Sequence, residues 1–169
     1  MRLILTLLSV SFGLLYGNGG LLKVDWSKTV PNQQKLQLLP KLLKDGIKDV
    51  RLPVYIPKYY IYEKNISVIS DKNFYTITIF LDKATLMISG DRTYQEKITS
   101  KRNNLITKMK AVTNKFIQAE GIMSVDFHRN GVNYSLSLEC NAPTSDPRCT
   151  DNRFLKRVYT GLILVGGKR

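Results

Sequence analysis

The chain has 169 residues, and 43% of them are hydrophobic, enough for the core of one ordinary domain. Lys and Arg total 26 against 13 acids, a formal charge of +13. A field of that sign draws anionic partners, but charge alone speaks to solubility and attraction rather than to a specific activity. A single His and two Cys leave too few soft ligands for a zinc-type centre, and no cofactor motif is present.

Met1-Arg2 opens with one positive charge, and residues 3–16 are then apolar except for Thr6, Ser9 and Ser11. Gly17-Asn18-Gly19-Gly20 follows with small side chains. This order predicts a secretory signal peptide over residues 1–19, leaving one basic domain over 20–169. The apolar run is about fourteen residues, short of the ~20 that span a bilayer, so no transmembrane segment is expected after cleavage. An uncleaved N-terminal anchor is the alternative. The expected location is periplasmic or extracellular.

Residues 21–29 read as an extended leader holding the only Trp, Trp26. Residues 31–48 place Leu36, Leu39, Leu43 and Ile47 at helical spacing, with a start near Pro40 because an interior Pro removes a hydrogen bond. Pro53 and Pro57 bracket Val54-Tyr55-Ile56, which predicts an edge strand or an extended loop. Residues 73–89 alternate as a hairpin. With Asp82-Lys83 at the turn, Leu81 faces Ala84, Ile79 faces Leu86 and Ile77 faces Ile88.

Residues 93–120 read as mainly helical, with Leu105, Met109, Val112 and Phe116 on one stripe and Gly121 as the cap. Asn130-Gly131 is the preferred two-residue hairpin turn. It sets Phe127 against Tyr134, Val125 against Leu136 and Met123 against Leu138. On the other side it sets His128 against Asn133, Asp126 against Ser135 and Ser124 against Ser137. Thr150 or Asp151 then caps a last helix carrying Phe154, Leu155, Val158, Tyr159 and Leu162, closed by Gly166-Gly167. The expected class is α+β: an antiparallel sheet of two β-hairpins with helices packed on one face, in a single two-layer domain.

Cys140 and Cys149 enclose a turn-rich segment, and in an exported protein such a pair predicts a disulfide. If the chain is an enzyme, its only His, His128, must serve, with Asp126 beside it on one strand face and Arg129 or lysines to hold phosphate, as in a secreted nuclease. A strand face points its groups in parallel, whereas catalysis needs them to converge in a cleft. The favoured reading is therefore a non-enzymatic exported module. It would bind an envelope protein or an anionic polymer such as lipid head groups, lipopolysaccharide or cell wall; a released effector or a nucleic-acid partner is the alternative. The candidate binding residues are Lys101, Arg102, Lys108 and Lys115 beside the long helix, and Arg148, Arg153, Lys156 and Arg157 near the disulfide and last helix. Tyr55, Tyr59, Tyr60 and Tyr62 could form a platform, although such rings more often cover a core.

Overall fold

A computed structural model describes residues 19–29, 39–95 and 114–169, and the described chain is mostly β. The elements run β1 (Gly19–Leu21), a 3-10 turn (Trp26–Lys28), α1 (Lys41–Ile47), β2 (Val54–Pro57) and a second 3-10 turn (Lys58–Tyr60). Then come β3 (Ile66–Ser70), β4 (Phe74–Leu81), β5 (Ala84–Asp91), β6 (Thr93–Gln95) and β7 (Phe116–Ala119). The chain ends with β8 (Ile122–Arg129), β9 (Val132–Cys140), α2 (Arg153–Thr160) and β10 (Leu162–Gly166). A six-stranded antiparallel sheet has the order β3-β4-β5-β9-β8-β7, while β1 pairs with β6 and β2 with β10.

Both expected hairpins form in the expected register. Ile77 faces Ile88 and Ile79 faces Leu86 across β4–β5. Phe127 faces Tyr134 and Val125 faces Leu136 across β8–β9. Asn130 and Gly131 both adopt positive φ (51° and 80°), the twist that a two-residue turn needs. β5 pairs with β9 from Ala84↔Cys140 to Asp91↔Asn133, joining the two hairpins into one sheet.

The expected α+β class is not what forms. Residues 93–95 and 116–119, expected as the ends of a long helix, are strands β6 and β7. Phe116 faces Val125 across β7–β8, and Glu120-Gly121 is a third tight turn (φ 51° and 82°) rather than a helix cap. The helical spacing of Phe116 and Ile117 competed here with a two-residue turn that fixes strand pairing. The centre of the expected long helix, residues 96–113, lies outside the described residues, as do 1–18 and 30–38. The first helix is confined to seven residues beginning after Pro40.

The last helix also differs from expectation. It follows Asn152, and the Asp151 carboxylate accepts the Arg153 N–H at 2.8 Å. It ends at Gly161, not at Gly166-Gly167, because residues 162–166 are the β-rich run Leu-Ile-Leu-Val-Gly that pairs with β2. β2 pairs on one side only, with β10, so it is an edge strand as its two prolines require, and all four of its residues are nevertheless buried. β3, a short strand that the sequence reading passed over, completes the sheet beside β4.

One face of the six-stranded sheet is the core. Tyr75, Ile77, Ile79, Leu86, Ile88, Leu136 and Leu138 are all within a few per cent of complete burial there. They pack against Leu43 and Ile47 of α1, Val54 and Ile56 of β2, Val165 of β10, and Leu155 and Val158 of α2. The covering layer is thus a β-pair flanked by two short helices. The opposite face carries small polar side chains at its centre, and Phe80 (50% exposed), Ile117 (50%) and Ile69 (64%) remain open to solvent.

Candidate functional site

Three regions hold the candidate residues, and the structure gives each a different role. The first is a buried knot of tyrosines. Tyr55 of β2 donates its N–H to the Tyr75 hydroxyl at 2.9 Å, and the Tyr134 hydroxyl donates to the Pro53 carbonyl at 2.8 Å. The Asn130 side-chain amide donates to the Tyr55 hydroxyl at 2.6 Å. Tyr134 stacks on Phe127 (5.3 Å) and meets Tyr55 edge-on (5.3 Å).

Gly90 lies under this knot. A Cβ there would sit 2.6 Å from Tyr75 and 2.8 Å from Tyr134 ring carbons, so only glycine leaves room. Burial pushes the Tyr75 and Tyr134 phenols well above the ordinary tyrosine range. Burial also raises Tyr55, opposed by the charge of Arg129 and by hydrogen bonds from Arg129 and Asn130. The Arg129 guanidinium lies over the rings of Tyr55 (4.9 Å), Phe127 (5.3 Å) and Tyr159 (5.7 Å), a cation among three π faces. Tyr55 is only 6% exposed, so it belongs to the core and leaves the candidate binding set.

The second region is a surface formed where the 3-10 turn Lys58–Tyr60 meets the end of α2. The Lys58 N–H donates to the Gly161 carbonyl at 2.9 Å and ties the two together. The Lys58 ammonium sits 4.8 Å from the Tyr59 ring centroid, and the Arg157 guanidinium 5.7 Å from that of Phe154. Tyr59 and Tyr62 are each 59% exposed. Tyr60 is half-buried; burial raises its phenol, opposed by the charges of Arg157 and Arg148. Residues 153, 156 and 157 share the solvent stripe of α2, while Leu155 and Val158 point into the core. Lys115 is exposed and immediately precedes Phe116, whose ring meets Tyr159 of α2 at 6.0 Å; strand alternation turns the two residues to opposite faces.

The cations of this surface are not equivalent. Arg148 is committed to holding the disulfide loop. Its Nε donates to Asp146 Oδ1 at 2.9 Å, and its Nη2 pairs with Asp146 Oδ2 at 2.5 Å and donates to the Asp82 carbonyl at 2.8 Å. The hydrogen bonds from the Arg148 side chain and backbone hold the Asp146 carboxyl down at about 2. Arg153 pairs with Asp151 at 2.6 Å, and that hydrogen bond lowers the Asp151 carboxyl in turn. Lys58, Lys156 and Arg157 have no acidic partner among the described residues and are exposed. Lys101, Arg102 and Lys108 lie outside the described residues. Cys140 and Cys149 are disulfide-bonded as expected, and the Gln118 side chain donates to the Cys149 carbonyl at 3.0 Å.

The third region is the polar sheet face around His128. Its Nδ1 makes a 2.9 Å hydrogen-bond contact with Asn133 Oδ1 on the paired strand. Asp126 stands two residues away on the same face, about 7 Å along the strand, and no hydrogen bond joins it to His128. Both side chains are exposed and parallel. Among the described residues no group of three His, Cys, Asp or Glu side chains is placed to hold a metal ion, and no helix is long and apolar enough to cross a membrane.

The sequence reading missed Lys58 as a member of the second region and Arg129 as the cation of the first. Lys58 was legible as a basic residue beside Tyr59. The pairing of β2 with β10, which brings it to α2, was not. Comparison with protein-family models, with curated proteins and with solved structures returns no match to this chain.

Proposed function

We propose that the protein is an exported, non-enzymatic binding module that holds an anionic envelope polymer on the surface between the Lys58–Tyr60 turn and α2. The observation that carries this reading is the seam where the Lys58–Tyr60 turn meets the end of α2: Lys58 lies against the exposed Tyr59 ring, and Lys156 and Arg157 stand exposed on α2 without acidic partners among the described residues. Phosphate or carboxylate groups of the polymer pair with the cations, and its sugar or glycerol units lie on the rings. The charge of the whole chain raises the encounter rate, and the local surface supplies the contacts. Export is supported by the N-terminal pattern of residues 1–19 and is compatible with the disulfide.

The test is co-sedimentation of the purified protein with lipopolysaccharide aggregates, peptidoglycan sacculi and phosphatidylglycerol vesicles, below and above physiological ionic strength. Exposed charges are screened over ~8 Å at physiological salt, so the bound fraction should fall as salt rises. The double charge reversal Lys156→Glu with Arg157→Glu should weaken binding about tenfold or more while leaving the melting curve in place. Equal binding by that variant, or binding indifferent to salt, sinks the proposal.

A further inference from the structure

The solvent face of the six-stranded sheet shows a charge distribution opposite to that of the whole chain. None of the outward residues of β3, β4, β5, β9, β8 or β7 is Lys or Arg, in a chain that carries 26 of them. Among the described strand residues, the only full charges on this face are the acids Asp91, Asp126 and Glu139. Its centre is Thr76, Thr78, Met87, Ser89, Ser135 and Ser137, aligned by the β4–β5 and β5–β9 registers. Phe80 and Ile122 stand at one end of the strands and Phe74 at the other, while Ile69 on β3 is level with Thr76 and Ile117 on β7 is level with Ser124, at the two edges of the sheet. These five are 38–64% exposed.

The relief this makes is a trough. Phe74 and Phe80 lie six residues apart on β4, about 20 Å, with short Thr side chains between them. A helix with its side chains is about 10–12 Å across and fits between those walls. Ile69 and Ile117 close its two ends, so the open floor spans β4, β5, β9 and β8, roughly 15 Å across at the usual strand spacing. That footprint suits one short helix and is smaller than one side of an interface of ordinary size, about 800 Å². Depletion of charge at the centre, with aromatic residues and Met present, is the composition of an interface core rather than of a solvated surface.

We infer that this face docks a partner protein through a cationic amphipathic helix. The three acids select Lys and Arg on the incoming helix. They repel the anionic polymers that suit the α2 surface. A second copy seated face to face would oppose its own three acids to these, so the charge pattern disfavours self-pairing. Apolar side chains of the helix rest on Met87 and on the Phe80 and Ile122 end, while its cations reach Glu139 and Asp126 at the margins. The inference stands apart from the polymer reading, which uses the opposite layer of the molecule.

The test uses the full chain and a fluorescent helical peptide built only of Leu and Lys, beside its Leu/Glu counterpart. A protein of charge +13 repels a cationic peptide on average, so binding of the Lys peptide requires a surface of opposite character, and the variants locate it. Ser137→Lys, at the centre, should weaken the Lys peptide by about tenfold or more, and Glu139→Gln by about threefold. Lys156→Glu, on the α2 surface, should leave this binding no weaker. Ser137→Lys is a surface change, and an unshifted melting curve shows that it folds; Glu139→Gln, nearly isosteric, keeps the test open if it does not. No binding of the Lys peptide, equal binding to Ser137→Lys, or equal affinity for the Leu/Glu peptide overturns the inference. So does a wild-type dimer in sedimentation equilibrium that Ser137→Lys converts to monomer, which would assign the face to a second copy.

Discussion

The two faces of the six-stranded sheet share every backbone hydrogen bond and differ only in what alternate side chains do. On β9, Leu136 and Leu138 are completely buried, whereas Ser135 and Ser137 between them keep contact with solvent. The inner face holds the fold together; the outer face adds little to stability and is left free to carry contacts. A strand period of two thus separates the two duties within single strands. A one-residue slip of register would exchange them, so the turns at Asp82-Lys83 and Asn130-Gly131 set stability and surface chemistry at once.

The sharpest way to break this comparison is to truncate neighbours on one strand. Leu136→Ala should cost about 2–5 kcal/mol, since the removed side chain leaves a cavity in packed surroundings. Ser137→Ala, one residue on, should stay within about 0.5 kcal/mol. Urea unfolding of both variants decides the matter, and comparable losses would show that the outer face is covered after all. Next in size is the disulfide. The Cys140 side chain points inward at the end of β9, and Cys149 is completely buried. Replacing both by Ser should cost about 2–3 kcal/mol by loosening the unfolded-state constraint of a short loop. The midpoint should fall with a modest change in m-value.

The tyrosine knot sharpens the comparison in a different way, because it puts polar atoms on the inner face. Tyr75→Phe leaves the Tyr55 N–H without its acceptor and should cost about 1–3 kcal/mol. The same knot sets an alkaline limit. The folded phenols of Tyr75 and Tyr134 bind their protons more tightly than the unfolded chain does. Their contribution is complete below the unfolded value of 10.0 and is lost as pH rises beyond it. Stability measured across that window should fall in the wild type and fall less steeply in Tyr134→Phe. A variant as steep as the wild type would place the alkaline loss elsewhere.

How much of this was legible in the sequence depends on the range of the interaction. Asn130-Gly131 and Asp82-Lys83 fix their hairpins locally, and every pairing read from them holds. The disulfide followed from the Cys140–Cys149 spacing together with the expectation of export. The partner of β2 did not, because Val54–Pro57 pairs with residues about a hundred positions later. The run Leu162–Gly166 continues the apolar pattern of α2, and only Gly161 marks the break. At Phe116 and Ile117 a helical spacing coincided with a four-residue strand too short to show its own period. The candidate site divides in the same manner. Its residue types were visible as tyrosines and basic residues, but the burial of Tyr55 and the internal commitments of Arg148 and Arg153 depend on long-range packing and on loop geometry.

The smallest effect tests whether the disulfide loop behaves as part of the fold or of the surface. Asp146 is held by Arg148, which also reaches the Asp82 carbonyl in the β4–β5 turn. Its folded carboxyl titrates at about 2, below the unfolded value of 3.8. A depressed acid stabilises the fold above its unfolded value, and that contribution disappears as pH falls from 3.8 through about 2. Both partners are near water, so the slope should be shallow and should flatten further in salt. Asp146→Asn keeps the size of the side chain and removes the titration. Its stability should run parallel to that of the wild type above the window and diverge from parallel only inside it. A curve parallel throughout would mean that the loop, once closed by its disulfide, needs no ion pair to lie on the β4–β5 turn. The Asp82 contact would then be the part of Arg148 that orders this end of the sheet.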